Sequence, residues 1–467
     1  MKKRKVVSLL LVAAMTMSAM TGCGAKTEEV SEEPVAEAGE IGANVQSVEN
    51  AEEIAAMDES ALSGTTISFW HSMGGTNGEA VDYLVNKFNE ENEYGITVVA
   101  EYQGSYDDSL TKLKSAQMGN SGPDLVQVYE IGSRFMIDSG WIVPMQELID
   151  ADGFDTSVLE ENVLAYYSIG DTLYSMPFNS STPLLYYNKD MFEAAGITEA
   201  PTSFAEVEAC GEKLTAAGCE QVISIYLDSW YFEQLTYKQG LELVNNGNGR
   251  DSYATEVSFD KNGAGINILN AWNSLHDKGY APIVADTTTD FVSGKAAMTF
   301  ASTATLRQII QDTDGKFEVG TAYLPTVDEN SEGGVSLGGA SLWALDHEDD
   351  AKKAATWKFV KFLVSAESQA YWNAHTGYFP INTEAQNEQE FKDNLEKYPQ
   401  FQTALDQLHA SSPEYVGALL SVFPESRVVV QTEIENMLND LQTPEEALTK
   451  ITEQMNSIIA EYNEINY

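Results

Sequence analysis

From residue 65 onward, hydrophobic and polar positions settle into a repeating order. Thr65-Thr66-Ile67-Ser68-Phe69-Trp70 alternates and predicts a strand. Val81, Leu84, Val85 and Phe88 then recur at helical spacing, and Ile96-Thr97-Val98-Val99 returns to the strand pattern. Leu110 and Leu113 lie in a predicted helix that Gly119 ends, and Pro123-Asp124-Leu125-Val126-Gln127-Val128 is a third strand. This β-α-β-α-β order predicts an α/β body with a parallel-rich sheet and covering helices. Helical patterns dominate farther on, over residues 204–217 and 351–364, the latter with Ala355, Phe359, Phe362 and Leu363 on one face. A last helix opens at Pro444, with Thr443 as its cap. No internal repeat at a fixed period is present.

The first 63 residues follow other rules. Lys2, Lys3, Arg4 and Lys5 precede a mostly apolar run of 15 residues, Val6 to Met20. That is the pattern of a signal peptide and is short for a membrane span. Ala19-Met20-Thr21-Gly22-Cys23 resembles a bacterial lipobox, with Met20 in place of the usual Leu. Cleavage before Cys23 and acylation of its thiol are therefore expected, with residues 1–22 removed. Residues 24–63 hold ten Glu, one Asp, one Lys and no aromatic residue. Such a stretch buries little apolar surface, so residues 23–63 are expected to act as a lipidated, disordered tether. The protein would then sit on the outer face of a cytoplasmic membrane, held by its lipid alone.

Composition removes several functions. The 467 residues carry 72 Asp and Glu against 26 Lys and Arg, a formal net charge of −46. Such a surface repels phosphodiester backbones and excludes general nucleic-acid binding. Three cysteines exclude a disulfide framework; Cys210 and Cys219, nine apart across a helix end, read as buried free thiols, with a disulfide between them left open outside the cell. The chain has no G-x-S-x-G, no H-E-x-x-H and no P-loop, since Ala296 follows Gly294-Lys295. Asp150-Ala151-Asp152-Gly153 fails as a calcium loop, because Leu148 and Leu159 stand at its outer ligand positions. The histidines at 71, 276, 347, 375 and 409 have no ligand spacing. No catalytic residue, metal or cofactor is expected.

Ligands in open parallel sheets bind beyond the carboxyl ends of the strands. Trp70, Tyr106 and Glu130 follow the three predicted strands in turn and should meet at one edge.

Several longer segments carry a resemblance. They are Phe69-Trp70-His71-Ser72-Met73, Gln127-Val128-Tyr129-Glu130, and Pro177-Phe178-Asn179-Ser180-Ser181-Thr182-Pro183 running on to Tyr187-Asn188-Lys189-Asp190. Ala297-Met298-Thr299, Gly338-Gly339-Ala340-Ser341-Leu342-Trp343, Thr376-Gly377-Tyr378-Phe379-Pro380 and Arg427-Val428 follow in order. In these the chain resembles the family-1 extracellular solute-binding proteins of ABC importers, above all the branch that takes glycerol-3-phosphate. The resemblance implies a two-lobed, type II binding-protein fold that closes on a ligand and passes it to permease subunits as a monomer. It places lobe one at 64–177 plus 299–341 and lobe two at 178–298 plus 342–467. Hinge crossings would fall near 176–178, 297–300 and 339–343. It carries ligand contacts onto Tyr106, Glu130, Ser181, Ser302, Gly339, Tyr378 and Arg427, and puts Phe204 where the family has a ligand-flanking Trp. Arg427 offers a planar fork for phosphate, and Glu130 should then accept from glycerol hydroxyls at the other end. The strong acidity keeps a neutral sugar or oligosaccharide open as the ligand. A secreted hydrolase is the third reading, without a motif to support it.

Overall fold

The computed structural model describes residues 41–119, 121–327, 333–412 and 416–467, all within one contact unit, Ala38–Tyr467. The expected signal peptide, the expected lipidation at Cys23 and the expected tether as far as residue 40 lie outside the described residues. The strands are β1 (Thr66–His71), β2 (Thr97–Tyr102), β3 (Leu125–Tyr129), β4 (Ile142–Val143), β5 (Ser168–Ile169), β6 (Thr172–Leu173), β7 (Met176–Ser181), β8 (Pro183–Asn188), β9 (Gln221–Ser224), β10 (Ala296–Ser302), β11 (Val319–Tyr323) and β12 (Gly338–Leu345).

Two sheets organise them. The first runs β2-β1-β3-β12-β4, with β7 also paired to β12, and the second runs β11-β8-β10-β9. In β1 the predicted alternation is realised, with Ile67, Phe69 and His71 buried and their neighbours more exposed. Every residue of central β3 is buried, because helices cover both faces. Helices Gly75–Glu91 and Asp350–Leu363 supply that cover on one side, where the Phe359 ring meets Phe69 at 5.7 Å and Phe88 at 5.0 Å.

The sheets are mixed rather than parallel-rich. β1 is parallel to β2 and β3, but β12 is antiparallel to β3, β4 and β7. In the second sheet only β9 and β10 are parallel. β12 is the chain's return to the first sheet, and its direction follows from where it re-enters.

That return also corrects the expected lobe ranges. Residues 296–302 and 319–323 belong to the second sheet, whereas β12 completes the first and helix Asp350–Leu363 packs on β1 and β12. The positions expected as hinges lie inside strands β7, β10 and β12. The chain passes between the sheets at Thr182, between β7 and β8, and returns between β11 and β12. Thr182 is fully buried, its carbonyl accepting from the Thr303 amide at 2.9 Å and its hydroxyl from Gln407 Nε2 at 3.1 Å. Helix Gln400–Ala410 lies along β11, and helices Phe423–Leu438 and Pro444–Asn466 pack on each other and on helix Ala264–Asp277. The expected Thr443 cap is present as a full capping box with Glu446.

Residues 51–62, expected to be disordered, are folded. Helices Ala51–Ala55 and Glu59–Leu62 dock on helix Asp350–Leu363, with Ile54 and Leu62 fully buried. Lys358 Nζ donates to the Ala55 carbonyl at 3.0 Å, and Asp58 caps the second helix. A few apolar residues placed to meet an existing groove outweigh the acidic average of the segment. Cys210 and Cys219 are both free.

Candidate functional site

The site begins at the carboxyl ends of β1, β2 and β3. Ser105 caps helix Tyr106–Met118 in a box with Asp108, and this fixes Tyr106 as the first helical residue. The Tyr106 ring stacks on Tyr129 at 5.3 Å, while Tyr129 Oη donates to Asp107 at 2.6 Å. A neutral chain of hydrogen bonds ties these strand ends together. The Ser72 amide donates to Gln127 Oε1 at 2.8 Å, Gln127 Nε2 to Asn179 Oδ1 at 2.7 Å, and Asn179 Nδ2 to Tyr106 Oη at 2.9 Å. Tyr378 is buried, stacked on Trp372 at 5.6 Å, and its hydroxyl engages Tyr106 and Asn179. Burial raises the phenols of both Tyr106 and Tyr378, so both stay protonated donors at neutral pH.

Glycines bring the backbone close. Gly339 has φ +98°, and a Cβ there would come within 1.9 Å of the Asn179 carbonyl oxygen. No other residue fits that approach. A Cβ on neighbouring Gly338 would meet the Trp230 ring at 2.6 Å and Ser181 Oγ at 3.3 Å, so Trp230 and Ser181 flank this strand. Gly377, at φ +116°, ends helix Ala366–Thr376 against the Thr303 carbonyl, and Tyr378 follows it. Ser302 Oγ accepts from the Ala304 amide at 3.2 Å, which leaves its proton free to donate.

The charged part lies on two helices. Arg427 of helix Phe423–Leu438 donates from Nε and Nη2 to the two carboxylate oxygens of Glu233, at 2.7 and 2.8 Å. Nη2 also donates to Glu130 Oε1 at 2.7 Å. Glu233 belongs to helix Ser229–Lys238, and Glu130 directly follows β3. Both carboxylates are buried. Burial raises Glu130 above the usual carboxylate range against the pull of Arg427, and pushes Glu233 up to about 7. For Arg427, burial works to lower the pKa, and Glu233 and Glu130 overcome it, so the guanidinium stays charged.

The structure therefore brings Tyr106, Glu130, Tyr378 and Arg427 into one neighbourhood, sets Gly339 against Asn179 of the same network and Ser181 beside Gly338, and places Ser302 opposite Pro183 at the end of β10. Three expectations change. Glu130 does not stand at the far end from Arg427; the two are an ion pair, because a buried carboxylate needs a cation. Phe204 is a core residue packed against Phe300 at 6.0 Å, and the aromatic beside Ser181 and Gly338 is Trp230. Trp70 is half-buried within β1 and borders the same apolar cluster as Tyr106 and Trp230. Sequence reasoning missed Asn179 and Gln127 as linkers, and Glu233, Asp228 and Trp230 altogether. The only signal for the last three was their clustering in Asp228-Ser229-Trp230-Tyr231-Phe232-Glu233.

Among the described residues no group of three or more His, Cys, Asp or Glu could hold a metal ion, and no helix is long and apolar enough to cross a membrane.

Comparison with known proteins agrees with this architecture. Residues 83–403 match the family described as bacterial extracellular solute-binding protein. The sn-glycerol-3-phosphate-binding periplasmic protein UgpB of Escherichia coli K12 is 32% identical over 409 residues, covering 85% of this chain and 93% of that one. The protein of the same name from Pectobacterium atrosepticum is 32% identical over 424 residues, covering 88% and 95%. Among solved structures, UgpB of Mycobacterium tuberculosis in complex with glycerophosphocholine superposes with a TM-score of 0.75 at 25% identity, covering 86% of this chain and 99% of that one. The sugar-binding protein MalE of Xanthomonas citri, at 23% identity and TM-score 0.71 over 86% and 99%, shares the fold. The fold is thus the type II binding-protein fold, and the chain belongs to the bacterial extracellular solute-binding proteins.

Proposed function

We propose that this protein captures glycerol-3-phosphate or a glycerophosphodiester and delivers it to the permease of an ABC importer, without chemistry of its own. The observation that carries the reading is Arg427, a half-buried guanidinium paired with Glu130, whose charge also acts on the Tyr106 and Tyr378 hydroxyls. That combination of one planar cation and neutral donors suits a phosphate ester. Ser181, Ser302 and the Gly339 backbone complete the contacts. The relatives that share most of this chain's length carry glycerol-3-phosphate in their names. Acylation at Cys23 would hold the protein outside the membrane as a monomer, and the lobes would close by movement about the crossing at Thr182.

A neutral saccharide is the second reading. One observation favours it: two carboxylates already engage Arg427, so the site carries no net positive charge. Titration calorimetry with glycerol-3-phosphate, glycerophosphocholine and maltose separates the two. Under the phosphate reading, Arg427→Ala weakens phosphate-ester binding roughly 10- to 150-fold, the equivalent of a charged hydrogen bond worth about 1.5–3 kcal/mol. Arg427→Lys restores the charge without the fork and recovers part of the loss. Binding of maltose alone would end the phosphate assignment and leave the binding-protein assignment standing.

A further inference from the structure

Glu233 does to Arg427 what a phosphate ligand would do. Its two oxygens take Nε and Nη2 in parallel, the fork-to-fork geometry by which a guanidinium recognises an oxyanion. Glu130 takes a further Nη2 contact, which leaves Nη1 as the arm that neither carboxylate engages. Direct contacts alone therefore set one cation against two carboxylates. Asp228, at the cap of the helix that carries Glu233, adds a third negative charge that acts on Glu130, Glu233 and Arg427.

The other ionisable groups facing this cluster do not redress the balance. Tyr237, one turn along the same helix, is buried and neutral, as are Tyr166 and Tyr167. Tyr129, next to Glu130, is neutral too, its phenol raised by burial and by Asp107. Arg250 acts on Tyr166 and Tyr237, but its own donors go to the Tyr166 and Gly417 carbonyls, at 3.0 and 2.7 Å. With Glu130 and Glu233 ionised the cluster is net negative before any ligand arrives. An added anion meets that charge beside two buried carboxylates, where like charges repel more strongly than in solution. A phosphodiester brings one negative charge. A phosphomonoester brings nearly two above its second pKa of about 6.

We propose that Glu233 is a specificity-determining residue: by holding the Arg427 fork, it sets the site to take phosphates bearing one negative charge in preference to those bearing two. This rests on the phosphate-ester reading above and narrows it to the diesters. Rejection is built from an unfavourable charge, in addition to any new contact with the preferred ligand. The raised pKa of Glu233 gives the device a second signature, since its protonation in mild acid removes the discriminating charge.

The test uses the full-length protein and two probes that differ in phosphate charge, glycerol-3-phosphate and glycerophosphoglycerol. The second is a diester with an uncharged second arm, so no choline cation contributes. At pH 8 the wild type should bind the diester at least tenfold more tightly. Glu233→Gln, which keeps size and an accepting oxygen, should shrink that ratio to threefold or less by strengthening monoester binding. Glu233→Asp, which keeps the charge, should retain most of the preference. If Glu233→Gln gives no cooperative thermal transition, wild-type binding of the diester at pH 8 and at pH 5.5 decides: its charge does not change over that range, so its binding should strengthen at the lower pH as Glu233 protonates. Equal binding of both probes by the wild type overturns the proposal. So does a Glu233→Gln protein with the wild-type ratio, or, where that variant does not fold, wild-type diester binding that does not strengthen at pH 5.5. In those cases phosphate esters still bind and the broader reading survives. Binding of maltose and of neither phosphate overturns both.

Discussion

The two walls of the site are made of opposite chemistry. On the first sheet, Ser72, Gln127, Asn179, Tyr106 and Tyr378 form a neutral network in which each group has a partner of fixed donor or acceptor sense. On helices Ser229–Lys238 and Phe423–Leu438, geometry depends on charge: Arg427 is held by Glu233, and Glu130 reaches it from the end of β3. A satisfied neutral network keeps its shape at any pH between 5 and 8. A buried ion cluster keeps its shape only while its charges match, and removal of one partner exposes the desolvation cost of the others. The first wall is therefore a template, and the second is a tunable element.

The largest test of this contrast is Arg427→Ala. It leaves Glu130 and Glu233 buried without a cation, and loss of one partner from a buried pair costs about 3–5 kcal/mol. Chemical denaturation at pH 8 should show that loss in full. At pH 5 it should be smaller, because both carboxylates already lie above the usual range and protonate once unpaired. An equal loss at both pH values would mean that the charges are not what the mutation exposes.

The next effect is the pH dependence of the wild type. Glu233 is near 4.5 when unfolded and about 7 when folded, so the folded state binds the extra proton between those values. Stability contributed by this group is therefore full below about pH 4.5 and declines as pH rises to about 7, by about 3 kcal/mol at most. Glu130, also raised, adds in the same direction. Denaturation midpoints across pH 4.5–8 should show a decline that Glu233→Gln flattens. A parallel curve for the variant would assign the slope to the general acidity of the chain.

The same contrast marks what the sequence made legible. Elements with a strong local period were found close to their true bounds: β1 from its alternation, helix Asp350–Leu363 from its apolar face, and the last helix from Thr443 and Pro444. Of the contacts the resemblance implied, Tyr106 and Tyr378 share one hydrogen-bond network and Gly339 is fixed by its backbone approach to Asn179, placements that a strand end or a close approach imposes locally. Of the charged wall, Arg427 and Glu130 were named, but neither their pairing nor Glu233 was legible. Glu233 is one of 72 acids, and its partner lies 194 positions away, so no local pattern singles it out. Phe204 was misplaced because an aromatic at a helix start can face a cleft or a core, and here Phe300 waits behind it. The antiparallel sense of β12 and the folding of residues 51–62 depend on what the rest of the chain presents to them, which composition does not record.

Within the neutral wall, Asn179→Ala should have the larger effect. It removes the acceptor of Gln127 Nε2 and the donor to Tyr106 Oη, leaving buried polar groups without partners at a cost of about 1–3 kcal/mol. Unlike the loss in Arg427→Ala, this one should be the same at pH 5 and pH 8, as read from denaturation midpoints. A loss that grows with pH would show that the network is coupled to Glu130 and is not an independent template.

Tyr106→Phe is the smallest change and the sharpest separation of the two walls. The ring remains, stacked on Tyr129, and helix Tyr106–Met118 keeps its Ser105 cap, so only the hydroxyl is lost. A neutral hydrogen bond contributes about 0.5–1.5 kcal/mol to stability, and Asn179 Nδ2 and the Tyr378 hydroxyl each lose a partner. Burial holds the Tyr106 phenol far above its ordinary value, so the wild-type group never ionises in the range tested and the difference should carry no pH term. Ligand binding should weaken by a similar modest factor for monoester and diester alike, because a neutral donor serves either phosphate. If instead Tyr106→Phe changes the ratio of the two affinities as Glu233→Gln does, discrimination by charge would not reside on the helical wall alone, and the division of labour between the walls would fail.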